Sequence, residues 1–100
     1  MHSLTDEEID ERLKRLKGWS RAGQAIEKRY RFKNFLRAMW FVNAVGYLAE
    51  SLNHHPDISI HYNEVTLTNW THVTDGLTDL DFMLAEGIEA LTEERMKDER

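Results

Sequence analysis

The stretch NHHPDISIHYNEVTL, residues 53–67, decides how this chain folds. Ile58, Ile60 and Tyr62 alternate with Ser59 and His61, the pattern of a half-buried strand. Asn63-Glu64 is a natural tight turn, and Val65 with Leu67 carries the alternation into a further strand. His54 and His55 sit at the exit of the preceding helix, just before Pro56, which fixes the backbone. That helix is long: Asn34 is placed to cap it, and it runs to about Leu52. Its apolar residues form three stripes, Phe35-Met39-Val42-Gly46-Ala49, Leu36-Trp40-Tyr47 and Phe41-Val45-Leu48-Leu52. A helix this apolar around its circumference has more than one partner to cover, and in a short chain the extra partner is expected to be another subunit.

On the N-terminal side, Thr5 with Glu8 makes a capping box, and Leu4 can staple against Ile9. Ile9, Leu13 and Leu16 follow at helical spacing, and Gly18 is placed to end this first helix in the left-handed conformation. Trp19 to Arg21 and Ala25 to Phe32 read as a hairpin around Gly23. Ile26, Tyr30 and Phe32 share one face of the second strand, and Lys28 interrupts it, which predicts a strand near an edge. Past a loop containing Asp75-Gly76, Thr78 caps a third helix with Asp81, Leu84, Ala85, Ile88 and Leu91 on one face. The charged tail from Glu93 to Arg100 is expected to fray. The order is α-β-β-α-β-β-α. It predicts an α+β fold, a four-stranded antiparallel sheet with three helices packed on one face, in a single domain over residues 1–100.

With 100 residues, the chain has room for one domain and buries only about two-thirds of its unfolded surface, so self-association would add useful stability. Hydrophobic residues make up 41% and charged residues 31%, a balance that fits a soluble globular domain and argues against disorder. The net charge of −5 argues against a backbone-driven nucleic-acid binder. Cys is absent, which removes disulfides, thiolate nucleophiles and Cys-ligated metal from consideration. The most apolar run, Ala38 to Ala49, is too short to span a bilayer, and Met1 to Glu8 does not read as a signal peptide. A cytoplasmic protein is the expectation.

Four of the five histidines, His54, His55, His61 and His72, fall within nineteen residues. Histidine is the side chain that exchanges a proton most readily near neutral pH. His54 and His55 sit at a helix exit before a proline, and His72 follows a strand, positions where rigid elements hold loops. Two imidazoles across a cleft, one protonated and one neutral, could donate one proton and accept another, which suits elimination or addition of water.

In this constellation the sequence resembles the pterin-4a-carbinolamine dehydratases. The signature runs Glu50, three residues, His54-His55-Pro56, five residues, Tyr62, nine residues, His72, eight residues, Asp81. Asp57, Asn63, Val65, Leu67, Thr71, Gly76-Leu77-Thr78 and Leu84-Ala85 add to it, as do Phe32-Lys33-Asn34-Phe35, Arg37-Ala38 and Trp19. The likeness extends from about Leu4 to Ala90, and three separated histidines with the Gly-Leu-Thr cap make it specific. It implies dehydration of a 4a-hydroxytetrahydropterin to the quinonoid dihydropterin, with His54 and His72 as the acid/base pair. It also implies His55, Glu50 and Trp19 in substrate binding and no cofactor or metal. A homodimer or homotetramer follows from the same resemblance. Trp70 is bulkier than some members carry.

Each residue also has a plainer reading. His54 could cap helix carbonyls, Asp81 is favoured as a helix cap behind Thr78, Tyr62 as a core or cleft-wall residue, and His61 as a surface histidine. Trp19 is as well suited to covering the first helix as to stacking on a pterin. Two other functions compete with the dehydratase. One is an interaction module, in which the second helix docks a protein such as a transcription factor. The other is a role for a pterin in molybdopterin metabolism. A three-histidine zinc site ranks lower, because adjacent His54 and His55 seldom aim at one ion.

Overall fold

In the computed structural model, which describes residues 2–96, alternate side chains of each strand turn toward one layer of helices. The elements are α1 (Asp6–Leu13), β1 (Ser20–Ala22), β2 (Ala25–Arg31), α2 (Phe35–Leu52), β3 (Asp57–His61), β4 (Glu64–Asn69) and α3 (Asp79–Met96). The strands form one four-stranded antiparallel sheet, as the α-β-β-α-β-β-α reading predicts, and their order in it is β1-β2-β4-β3. Ile26, Tyr30, Val65 and Leu67 are buried beneath Phe41, Val45, Leu84 and Ile88 of the helices. The other sheet face carries Glu27, Arg29, Arg31, Glu64, Thr66 and Thr68 and stays polar. α3 continues through Met96, beyond Glu93 where the charge run predicts fraying, and residues 97–100 lie outside the described residues.

The capping box at Thr5 and Glu8 forms in both directions, at 3.2 and 2.8 Å, and holds the Glu8 carboxyl below its usual range through those hydrogen bonds. α1 nevertheless ends at Leu13, before Gly18. Residues 14–19 tighten through bonds from Arg15 N to Arg12 O, Leu16 N to Leu13 O and Trp19 N to Leu16 O, which bury Leu16. Gly18 does adopt the left-handed region, at φ +87°, but as the corner into β1. A Cβ there would come within 2.8 Å of Lys28 Cε. Gly18→Ala is therefore expected to cost about 1–2 kcal/mol in chemical denaturation, from backbone strain and the displaced lysine. An unchanged midpoint would mean that the Lys28 stem yields freely.

β2, which carries Lys28, lies one strand in from the sheet edge, between β1 and β4, and the lysine points toward the helices. Charge is accommodated there because Lys28 Nζ lies 2.9 Å from Glu89 Oε2 on α3 and 2.8 Å from the Lys17 carbonyl. Trp19 Nε1 and the Tyr30 hydroxyl donate to the same carboxylate oxygen. Burial, followed by the hydrogen bond and charge of Glu89, pushes the Tyr30 phenol well above its ordinary range. Hairpin register also departs from the alternation. β3 and β4 are joined by Tyr62-Asn63, with Tyr62 at φ +54° and 65% exposed, so Tyr62 is a turn residue and neither core nor cleft wall. Asn63 draws the turn there: its carbonyl accepts from Phe32 N and its side-chain amide donates to Phe32 O.

Candidate active site

Asn53 ends α2 in the left-handed conformation, at φ +52°, one that Asn tolerates better than most residues. The reversal lets His54 N bond back to Ala49 O at 3.0 Å. It carries the His54 ring inward, where the residue is only 9% exposed, and leaves His55 near the surface. His55 Nε2 lies 2.5 Å from Glu50 Oε2, so the acidic residue one turn back orients His55 and not His54.

The second histidine segment follows β4. Thr71 and Gly76 exchange backbone hydrogen bonds at 2.9 and 3.3 Å and close a short loop, with Asp75 N bonded to His72 O and Asp75 at φ +52°. His72 is exposed on this loop, and its ring stacks on the Trp70 indole, with centroids 4.2 Å apart and planes 26° apart.

Asp81 ties the two segments together. Its carboxylate is fully buried at the start of α3. Oδ2 accepts from Thr71 Oγ1 at 2.8 Å and from Thr78 N at 2.9 Å, which is the cap predicted from its spacing. Oδ1 lies 2.6 Å from His54 Nε2, and the Asp81 carbonyl accepts from Asn69 Nδ2 at the end of β4. With Asp81 as a carboxylate, His54 Nε2 is the donor and Nδ1 is the nitrogen left for chemistry. Nδ1 of His54 takes no part in that bond, and His54 lines an open cleft.

His54, His55 and His72 line one open cleft of about 300 Å³, with Asn53, Trp70, Thr71 and Val73. That is at the small end for a ligand site. A larger hollow of about 530 Å³ between α1 and α3 offers only glutamate and arginine side chains. Those groups are poorly matched to proton exchange near pH 7, so size does not select the site. The structure thus brings together His54, His55 and His72, with Glu50 joined through His55. Trp19 does not join them. It is 5% exposed in the core with its indole N–H on Glu89, which leaves no open ring face toward the cleft. His61 lies exposed on β3, as a surface histidine should. Spacing alone does not show Asp81 as the partner of His54 or Trp70 as the partner of His72. The capping pattern masked the first, and only unusual bulk signalled the second. Among the described residues no three His, Cys, Asp or Glu side chains converge as metal ligands do.

A family model described as pterin 4 alpha carbinolamine dehydratase matches residues 2–91. This chain belongs to the pterin-4-alpha-carbinolamine dehydratase family. A relative from Sulfurisphaera tokodaii is 47% identical over 91 residues, 91% of this chain and 98% of the relative. One from Acidobacterium capsulatum is 48% identical over 91 residues, 91% of this chain and 99% of the relative. Both carry the dehydratase name provisionally. Among solved structures, a transcriptional coactivator/pterin dehydratase from Brucella melitensis superposes with a TM-score of 0.86 at 36% identity, covering 89% of this chain and 97% of that one. A pterin dehydratase-like RuBisCO assembly factor of the alpha-carboxysome shares the fold, with a TM-score of 0.63 at 22% identity, covering 74% and 88%. As a member of the dehydratase family, the chain has the α+β architecture read from its sequence, and no helix of the described residues is long and apolar enough to cross a membrane.

Proposed function

We propose that this dehydratase-family chain is a hydro-lyase that removes water from a 4a-hydroxytetrahydropterin to give the quinonoid dihydropterin. The observation that carries the reading is the convergence of three histidines from two separate segments on one cleft. In the reaction the C4a–O bond breaks as a proton reaches the hydroxyl oxygen. The ring N–H loses its proton as the C=N bond forms, so one proton enters and one leaves. The step changes no oxidation state and needs no redox partner. By the family resemblance His54 and His72 are the acid/base pair, and they face the cleft from two separate segments with Nδ1 of His54 and both nitrogens of His72 outside the hydrogen bonds of the described residues. His55, held by Glu50, binds substrate at the rim. The test is the dehydration rate, followed by ultraviolet absorbance, in the presence and absence of the protein. No acceleration would overturn the proposal.

A second reading concerns α2. Leu36 is 76% exposed and Tyr47 81%, on the side away from the core residues Phe41 and Val45. Trp40, Asn43, Ala44 and Tyr47 line a hollow of about 460 Å³ on that side. An apolar row of this kind on a short chain is covered best by a second copy, which makes the protein a homo-oligomer. Light scattering on an eluting peak should then give a mass above one chain, and Leu36→Glu/Tyr47→Glu should lower it. A monomeric wild type would turn the search toward a different protein on α2.

A further inference from the structure

We infer that Trp70 is the positioning residue of His72, an inference that rests on the dehydration reading above. The three cleft histidines are held in different ways. Asp81 takes Nε2 of His54 and Glu50 takes Nε2 of His55. Among the described residues no hydrogen bond reaches either nitrogen of the His72 ring, although His72 is exposed on a loop. Its ring plane is set by the Trp70 indole instead, at 4.2 Å between centroids and 26° between planes. The support is rigid. Trp70 follows β4 directly and packs against the hydrophobic core. Between Trp70 and His72 in the chain, buried Thr71 is anchored through its backbone to Gly76 and through its hydroxyl to Thr78 and Asp81. With Thr71 fixed, residues 70 and 72 stack side by side.

Stacking suits a group that must exchange protons with a ligand. Both nitrogens of an imidazole lie in the ring plane, so an indole against its face restrains orientation and occupies neither nitrogen. A hydrogen-bonded partner would take one of them, as Glu50 does on His55. Of the cleft residues, Trp70 alone presents a flat aromatic face to His72. The bulk noted in the sequence at this position therefore has a use.

Trp70→Leu keeps apolar volume against the core and removes the flat π-face. It should lower kcat about tenfold, the population lost when a stacking interaction is removed, with KM within about threefold of wild type. Trp70→Phe, which restores an aromatic face, should recover most of that loss. In proton NMR, the carbon-bound ring protons of His72 should show an upfield ring-current shift that disappears in Trp70→Leu and persists in part in Trp70→Phe. Circular dichroism of both variants checks that they fold. Full kcat in Trp70→Leu, or a raised KM at unchanged kcat, would overturn the inference, the latter by making Trp70 a ligand contact. If the wild type does not dehydrate the pterin, the reading of the reaction falls. If it does and Trp70→Leu matches it, only the role of Trp70 falls.

Discussion

The His54→Ala/His72→Ala double variant is expected to dehydrate 4a-hydroxytetrahydropterin at the uncatalysed rate while keeping the native fold. A well-placed general acid or base is worth about 10²–10⁴-fold, so each single variant should lose about that factor in kcat. The double should lose less than the product of the two, because a proton donor without its acceptor does little. His55→Ala should act chiefly on KM, since that ring sits at the rim with Glu50, and His61→Ala on β3 should change little. His72→Ala removes an exposed side chain and should leave thermal stability nearly unchanged. His54→Ala should cost more, because it strips buried Asp81 of a partner. Circular dichroism with ultraviolet absorbance assays on the five proteins settles the division of roles. Equal losses in all three single cleft variants, with folding intact, would refute it.

Asp81 is the second residue whose loss should be severe, and for two separable reasons. Its carboxylate is fully buried and serves Thr71 Oγ1, Thr78 N and His54 Nε2 together. Asp81→Ala leaves those donors short of an acceptor and opens a small void at the start of α3. The expected cost is about 3 kcal/mol, or roughly 15 °C in melting temperature for a chain of this size. Asp81→Asn separates stability from chemistry. An amide can still accept from Thr78 N, so much of the stability should survive. Its NH₂ group then faces His54 Nε2 and requires that nitrogen to accept, which moves the ring proton to Nδ1. A drop in kcat of about 10²-fold or more in a folded Asp81→Asn protein is the expected result. Wild-type kcat in that variant would show that Asp81 acts only as a cap.

Several elements were legible from local chemistry. Thr5 with Glu8, and Asn34 with the Arg37 amide, start α1 and α2 where the capping residues stand, since a cap involves groups within four residues of each other. The histidine cluster was legible as well, because a helix exit at His54 and a strand end before His72 follow from periodicity and Pro56. Where reading failed, a distant partner intervened. The break that Lys28 makes in the alternation of β2 is answered by Glu89, sixty-one positions away and beyond the reach of local periodicity. The β3–β4 turn moved to Tyr62-Asn63 because Asn63 answers to Phe32, just past the end of β2. Trp19 looked available for stacking until the core closed over it.

The sequence by itself therefore determined the element order, the packing of helices over one sheet face and the candidate histidines, all of which rest on short-range periodicity and caps. Only the tertiary structure decided which nitrogen of each histidine is left free. A buried carboxylate twenty-seven positions from His54 selects its Nδ1, and an indole two positions from His72 leaves both of its nitrogens open. Proton chemistry depends on the orientation of a ring to within a hydrogen bond's reach, and that orientation is set by contacts that exist only once α2, β4 and α3 are packed together.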